Sequence, residues 1–405
     1  MVMAGAVRRR GAGLRDAFIA SPGHVITLGC LALLTVSGIL LLLFQNPYPL
    51  INQPFPDAHE YLNAAYRIAH GHGYTTTVRD NAFSPHVHHV VNPPRFPPGT
   101  SLVLAPFALI GTYPANVEFG ARLIVLGLVF VVGWAGYSLS GWFAALLAAF
   151  VTAISSFATF SAHVVMSDAL GALLTVVCLP LMTLKAKWAF YLAGFAAGYG
   201  FVCREAGIIV VASLLIVIGG SDRLRVAAGA AGPIFGLALY NWSTFGAPWR
   251  TGYSYWLGPF QEYSLSYVTK HDWPANVAYG SSLELFHLVG HSPSGLTGTV
   301  PNLLFYPLIA LGFSFFFGPP LLTLVGVVTA IRSWHRREAR FTLILAAGSA
   351  VFLMANFQQD PRLIAGPCIL LTVWGVVGVV QLVRAIWRRY GDGLTARLDV
   401  SRQNV

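Results

Sequence analysis

The sequence has few charged residues and few cysteines. Charged side chains make up only 10% of its 405 residues, whereas a soluble domain carries roughly 25%. So low a fraction excludes a soluble enzyme and a disordered chain. The four cysteines are far apart in the sequence and form no CxxC or Cys/His spacing. We therefore interpret them as small buried hydrophobes rather than as a disulfide scaffold or a metal site.

Hydrophobic residues are abundant and occur in long runs. They make up 56% of the chain, and a bilayer core of about 30 Å needs roughly 20 apolar residues per helix. The runs predict an all-α polytopic membrane protein with ten transmembrane helices, within a range of eight to twelve. The predicted spans cover residues 24–44, 117–138, 142–160, 169–184, 188–203, 206–220, 225–242, 310–331, 341–356 and 363–384. The first run is too long for the hydrophobic part of a signal peptide, so we interpret it as a retained anchor.

The net charge of +10 reports orientation rather than a nucleic-acid partner. With ten spans, 17 of the 25 Lys and Arg residues fall on the inner side, together with 5 of the 15 Asp and Glu residues. Two shorter apolar pieces, Thr100–Gly111 and Leu303–Leu311, cannot cross alone. Counting the first as a span would move four basic residues outside, against the positive-inside rule. Both pieces are therefore predicted to be juxtamembrane helices.

This topology divides the chain into three parts. Residues 1–23 form a basic cytoplasmic N-terminus, residues 24–384 a single integral-membrane domain, and residues 385–405 a cytoplasmic tail. Two large polar loops, 45–116 and 243–301, lie on the extracytoplasmic side. Loops this long in a compact protein are usually functional.

The first large loop opens with a titratable cluster. Pro56 is suited to begin a short amphipathic helix and Asp57 to occupy its first turn, while Gly71 would end it. Two roles are open for Asp57. It either caps the helix or, beside His59 and Glu60, serves as a general base or a metal ligand.

Further along this loop stand three histidines and a proline-rich arginine segment. His86, His88 and His89 fall within four residues and could ligate a metal ion. Arg95 lies in the stiff segment 93–98, which contains four prolines. Held near the membrane surface, Arg95 either contacts a phosphate or extends to the interface as ordinary membrane arginines do.

The order of these features resembles the GT-C glycosyltransferases, specifically the bacterial relatives of the dolichyl-phosphate-mannose protein mannosyltransferases. The resemblance covers residues 24–384 and depends on an ordered set of short motifs. These are Asp57 after the first span, Pro97-Pro98-Gly99 before a short apolar helix, Ala121-Arg122 opening a span, the outer acid Asp168, the glycine-rich span ending at Arg204, and Tyr240-Asn241 before the second large loop.

The resemblance implies a reaction and a set of site residues. A sugar, hexose or pentose, would pass with inversion from a polyprenyl phosphate to an acceptor hydroxyl of a cell-envelope glycan, lipid or protein. The site would face outward from a bacterial cytoplasmic (inner) membrane. Asp57 is the implied base, and Asp168 would orient the acceptor or a metal. The implied substrate contacts are Glu60, Tyr61, Arg95, Arg204 and Arg362; a divalent metal ion is a candidate cofactor, with His88 and His89 as candidate ligands.

Plainer explanations stay open for several of these residues. Asp168 could cap the fourth span, Arg204 could pair with Glu205 at the boundary, and residues 358–362 could form a polar turn. The second loop has six aromatic residues that suit either sugar stacking or an interfacial belt, namely Trp249, Tyr253, Tyr255, Trp256, Tyr263 and Tyr267. Two other functions also stay open, a transporter or flippase of a lipid-linked or small polar substrate and a noncatalytic membrane partner of such an enzyme.

Overall fold

The computed structural model describes residues 56–78, 90–184, 186–256, 302–312, 316–319, 321–353 and 360–403. Within these ranges the chain is almost entirely helical, and its one β-pairing is an antiparallel bridge between Thr76 and Asn92. The prediction of an all-α protein is thereby confirmed.

The described helices follow the predicted apolar runs closely. In chain order they are α1 Pro56–Ala69, α2 Gly99–Ala108, α3 Ala115–Ser140, α4 Trp142–Ala153, α5 Ser156–His163, α6 Ser167–Thr183, α7 Lys187–Cys203, α8 Ile208–Val217, α9 Gly220–Phe245, α10 Gly252–Trp256, α11 Asn302–Ala310, α12 Leu322–Arg332, α13 Arg337–Leu353 and α14 Ala365–Gln403. Two 3₁₀ turns, Glu205–Gly207 and Pro361–Ile364, precede α8 and α14.

The helices differ from the predicted spans in length and in one break. Two of those described, Ala115–Ser140 and Pro361–Trp387, are long and apolar enough to cross a membrane. The predicted span 142–160 is instead the pair α4 and α5, bent by 56°, because Ser155 Oγ accepts a hydrogen bond from the Ala158 N–H and starts a new helix. Within the predicted span 310–331, the described helix α12 begins only at Leu322. The number of ten spans is therefore not confirmed, and the first of them lies outside the described residues.

The helices approach closely where glycines face a neighbouring backbone. A Cβ on Gly194 of α7 would lie 2.1 Å from the Val226 carbonyl oxygen of α9. A Cβ on Gly326 of α12 would lie 1.8 Å from the Leu371 carbonyl oxygen of α14. Small residues at such crossings let apolar helices pack by van der Waals contact, as is usual in membrane proteins.

Helices α1 and α2 pack on each other in a hydrophobic cluster separate from the main core. α1 begins at Pro56 and ends before Gly71, whose φ of +76° suits glycine. It packs on α2 through the buried Leu62 and Leu104, and Ser101 Oγ donates to the Tyr61 carbonyl oxygen at 3.2 Å. The helix predicted to begin at Pro56 and the short helices predicted at Thr100–Gly111 and Leu303–Leu311 are thus present as α1, α2 and α11. The contacts between α1 and α2 hold the first turn of α1 beside the proline-rich segment.

Candidate active site

The first acidic cluster is organised around Arg95. Arg95 Nη2 donates to Asp57 Oδ1 at 2.7 Å, and the Arg95 side chain is 8% exposed while that of Asp57 is 29% exposed. The guanidinium also lies 4.5 Å from the centre of the Phe96 ring. Arg95 is therefore buried in the protein rather than extended along the interface, and Asp57 is the more accessible member of the pair.

Glu60, one turn after Asp57, is buried under the same segment. Its Oε1 accepts a hydrogen bond from the Arg95 N–H and a longer contact of 3.4 Å from the Phe96 N–H, and its Oε2 lies 3.9 Å from Arg95 Nε. Burial raises the pKa of Glu60 from 4.5 to about 7, although the nearby Arg95 charge opposes that rise. Glu60 therefore changes protonation near neutral pH.

Tyr61 connects this cluster to the second acidic residue. Its hydroxyl donates to Ser167 Oγ at 3.1 Å, and its ring stacks on Phe96 with centroids 4.8 Å apart. Ser167 is the first residue of α6 and immediately precedes Asp168. The two predicted acids, Asp57 and Asp168, thus belong to one connected group of side chains.

Asp168 pairs with Arg204 rather than capping its helix. Arg204 Nη1 donates to Asp168 Oδ1, and the Asp168 side chain is 3% exposed. The helix cap of α6 is Met166, which makes no side-chain cap. α6 and α7 are antiparallel neighbours, so the start of one and the end of the other meet here. The alternative of an ion pair between Arg204 and Glu205 is therefore wrong, since Arg204 pairs with Asp168.

Arg362 completes the basic side of the group. Its side chain pairs with Asp360, which also accepts from the Arg362 N–H at 2.9 Å and caps the 3₁₀ turn. The Arg362 guanidinium lies 5.1 Å from the centre of the Phe160 ring, and Nη1 lies 2.7 Å from Met166 Sδ. Residues 360–362 are thus both the predicted polar turn and part of the group.

A small cleft lies between these residues and the bundle interior. It is lined by Asp168, Arg204 and Arg362 and by residues of α6, α7, α8, α13 and α14. Most of those other residues are apolar or small, and two are hydroxyl residues; they include Gly171, Ala172, Thr175, Gly200, Ile209, Val210, Leu345, Ser349, Leu353 and Gly366. Two arginines and one aspartate therefore face a small cleft whose other lining is mainly apolar.

The second large loop contributes Tyr253 to the site. Its ring packs edge-on against Phe96 with centroids 5.7 Å apart, and the charges of Arg95, Arg204 and Asp57 act on its hydroxyl, whose pKa is raised by burial. The sequence offered Tyr253 only as one of six loop aromatics. No local pattern distinguished it, because its neighbours come from distant parts of the chain.

The described residues contain no group of three or more His, Cys, Asp or Glu side chains arranged to hold a metal ion. The carboxylates of the site are each engaged by an arginine, as with Asp57, Asp168 and Asp360. The two candidate histidine ligands, His88 and His89, lie outside the described residues.

Comparison with solved structures identifies relatives of this architecture at low sequence identity. ArnT from Cupriavidus metallidurans, solved bound to undecaprenyl phosphate, matches with a TM-score of 0.54 and 16% identity over 93% of this chain and 63% of ArnT. The Archaeoglobus fulgidus oligosaccharyltransferase, solved in complex with Zn and sulfate, matches with a TM-score of 0.55 and 16% identity over 91% of this chain and 51% of that protein.

The chain thus spans between half and two thirds of the length of these structures. No protein-family model and no curated protein matches its sequence. The matches show that the chain has the fold of the GT-C glycosyltransferases, which confirms the resemblance at the level of the fold.

Proposed function

Because the chain has the GT-C fold, we propose that it is a membrane glycosyltransferase. It transfers a sugar from a polyprenyl-phosphate donor to an acceptor hydroxyl on the extracytoplasmic face, by a single inverting displacement. The observation that carries the proposal is the small cleft that Arg204 and Arg362 line together with mainly apolar residues. A lipid phosphate combines the same two chemistries in one molecule.

The donor fits the cleft by charge and by polarity. Arginine presents several N–H donors that match phosphate oxygens, so Arg204 and Arg362 are suited to hold the donor phosphate. The isoprenoid chain would follow the apolar wall formed by residues such as Val210 and Leu345. ArnT, which shares the fold, was solved bound to undecaprenyl phosphate, which supports a lipid phosphate as the class of donor.

The acidic residues supply the remaining chemistry. Asp57 accepts the proton of the acceptor hydroxyl as its oxygen bonds to the sugar C1, while the bond from C1 to the phosphate oxygen breaks. Polyprenyl phosphate leaves with the electron pair, and the arginines stabilise its charge. The ion pair with Asp168 orients the Arg204 guanidinium.

In the proposed enzyme, residues 24–384 form one integral-membrane domain in a bacterial cytoplasmic membrane, and both termini are cytoplasmic. The loops 45–116 and 243–301 face outward and receive the acceptor, which is a cell-envelope glycan, lipid or protein. The excess of basic residues on the opposite side supports this orientation.

Removal of the protein from its cell tests the proposal directly. We expect one polyprenyl-phosphate sugar to accumulate and one surface glycan, glycolipid or glycoprotein to lose a single sugar, both measured by mass spectrometry of lipid extracts and envelope fractions. Restoring the wild-type protein should reverse both changes, whereas the Asp57→Asn variant should reverse neither. Unchanged lipid-linked sugars and unchanged glycans would contradict the proposal.

A further inference from the structure

The segment from Asn92 to Phe96 is held along its whole backbone. Asn92 exchanges backbone hydrogen bonds of 2.7 and 2.9 Å with Thr76. The Pro93 carbonyl oxygen accepts from Trp256 Nε1 at 2.8 Å, and the Phe96 carbonyl oxygen accepts from the Tyr74 hydroxyl at 2.7 Å. A proline-rich segment cannot form a ladder of its own backbone bonds, so these external contacts determine its path.

Glu60 supplies the acceptor for the amide groups of this segment. Residues 93–98 contain four prolines, so Arg95 and Phe96 have the only two backbone N–H groups among them. Both point to Glu60 Oε1. Glu60 is 4% exposed, so its carboxylate faces the Arg95 backbone and is shielded from solvent.

The short helix α10 of the second large loop holds the other side. A Cβ on Gly252 would lie 2.1 Å from the Pro94 carbonyl oxygen and 2.6 Å from that of Arg95, so only glycine allows this approach. Tyr255 donates to Asn92 Oδ1 at 3.2 Å. Together with the bond from Trp256 to Pro93, these contacts seat α10 directly on the arginine segment.

We propose that Glu60 and Trp256 are positioning residues that hold the backbone of residues 92–96 from two sides, so that the Arg95 guanidinium faces Asp57. Glu60 then acts through Arg95 rather than as a contact to the substrate. The second large loop completes the site by seating α10 on this segment. The catalytic part of the inference rests on the proposed function, whereas its structural part does not.

Hydrogen–deuterium exchange of the purified full-length protein tests the structural part. A peptide that consists of residues 93–98 alone reports only the Arg95 and Phe96 amides, because its other residues are prolines. Loss of buried hydrogen bonds to a charged group should speed their exchange by at least about tenfold in Glu60→Ala. Glu60→Gln retains an acceptor oxygen and should restore most of the protection. Equal exchange in wild type and Glu60→Ala would overturn the proposal.

A matched pair of tryptophan variants tests the contribution of α10. Trp256→Phe removes the hydrogen bond to Pro93, and we expect a few-fold faster exchange of the same two amides. Trp249→Phe alters a tryptophan of the same loop that is 71% exposed and should leave their exchange unchanged. Equal effects of the two variants, or none from either, would remove α10 from the proposal.

The rate of sugar transfer, compared across single and double variants, tests the catalytic part. If Glu60 acts through Arg95, Glu60→Ala should lower the rate several-fold in the wild-type background and add nothing in the Arg95→Ala background. Additive losses would show that Glu60 acts independently of Arg95 and would overturn the positioning role. Failure of the wild-type protein to transfer sugar from any polyprenyl phosphate would instead contradict the proposed function, and the exchange experiment would still decide the structural part.

Discussion

The two ends of the helix bundle use ion pairs in different ways. At the site end, Arg95 pairs with Asp57 and Arg204 with Asp168, which are separated by 38 and 36 residues in the sequence. At the opposite end, Arg225 pairs with Asp222 three residues away. The first two pairs join separate elements, whereas the Arg225–Asp222 pair stays within one helical turn. The third pair of the site end, Arg362 with Asp360, is also local and lies at its 3₁₀ turn.

Burial separates the Arg204–Asp168 pair from the pair at the opposite end. The Asp168 side chain is 3% exposed and that of Asp222 is 33% exposed, whereas Asp57, at 29%, is nearly as exposed as Asp222. Exposed local pairs contribute little to stability, whereas buried charges at membrane depth are costly and are usually functional or paired. The burial of the Arg204–Asp168 pair is therefore the feature that the proposed function explains and that the exposed Arg225–Asp222 pair lacks.

The largest difference in sugar transfer between variants of the two ends should come from loss of the proposed base. Asp57→Asn should lower the rate of sugar transfer by about 10²–10⁴-fold, the range for a general base, without lowering the amount of folded protein. Asp222→Asn changes the same residue type at the opposite end and should retain transfer within about twofold. Transfer would be measured with a radiolabelled lipid-linked sugar, and normal transfer by Asp57→Asn would remove the base assignment.

Removal of the second long-range pair, Arg204 with Asp168, should have the next largest effect. Removing Arg204 alone would leave Asp168 buried without its partner, which destabilises a protein. The double variant Asp168→Asn with Arg204→Gln avoids an unpaired charge, and we expect it to fold and to bind undecaprenyl phosphate about 10–100-fold more weakly.

The matched double variant at the opposite end is Asp222→Asn with Arg225→Gln, which should bind as wild type does. Affinity would be measured by titration of the lipid into detergent-solubilised protein, with thermal unfolding of each variant recorded as the check on folding. An unchanged affinity in the first double variant would exclude Arg204 from the donor site.

The difference between the ends also explains what could be predicted from the sequence. Local signals were sufficient for α1, where Pro56 begins the helix and Gly71 ends it. The family resemblance named Arg95, Arg204 and Arg362 as candidate substrate contacts, and that role stays a prediction. Hydrophobic periodicity and turn chemistry act over a few residues, so structural features of the same length can be predicted from the sequence.

Partners across the fold could not be predicted in the same way. Nothing near Asp168 in the sequence favours Arg204 over a helix cap, because the antiparallel packing of α6 and α7 brings them together. Gly252 and Tyr253 carry no local signal, since their importance comes from contact with residues 94–96. The break at Ser155 did have one, a serine suited to cap a helix, but the length of the apolar run obscured it.

The smallest expected effect is the pH response of Glu60, and its sign differs between stability and activity. Its pKa is raised from 4.5 to about 7, so the folded state takes up a proton, and its contribution to stability falls as pH rises from 4.5 through 7. The charged groups that act on Glu60 are Arg95 and Asp57. Glu60 in turn acts on two titratable groups, the hydroxyls of Tyr74 and Tyr240.

Activity should follow the ionised form, because only a charged Glu60 attracts the Arg95 guanidinium. Between pH 8 and pH 6 we expect transfer by the wild type to fall a few-fold while its unfolding temperature rises. Glu60→Gln should lose both responses near pH 7, because glutamine does not titrate. Thermal unfolding and transfer assays of the two proteins across this range would measure both. If both proteins showed the same profiles, Glu60 would be no more than a packing residue, and the site end would owe its long-range order to Asp57 and Asp168 alone.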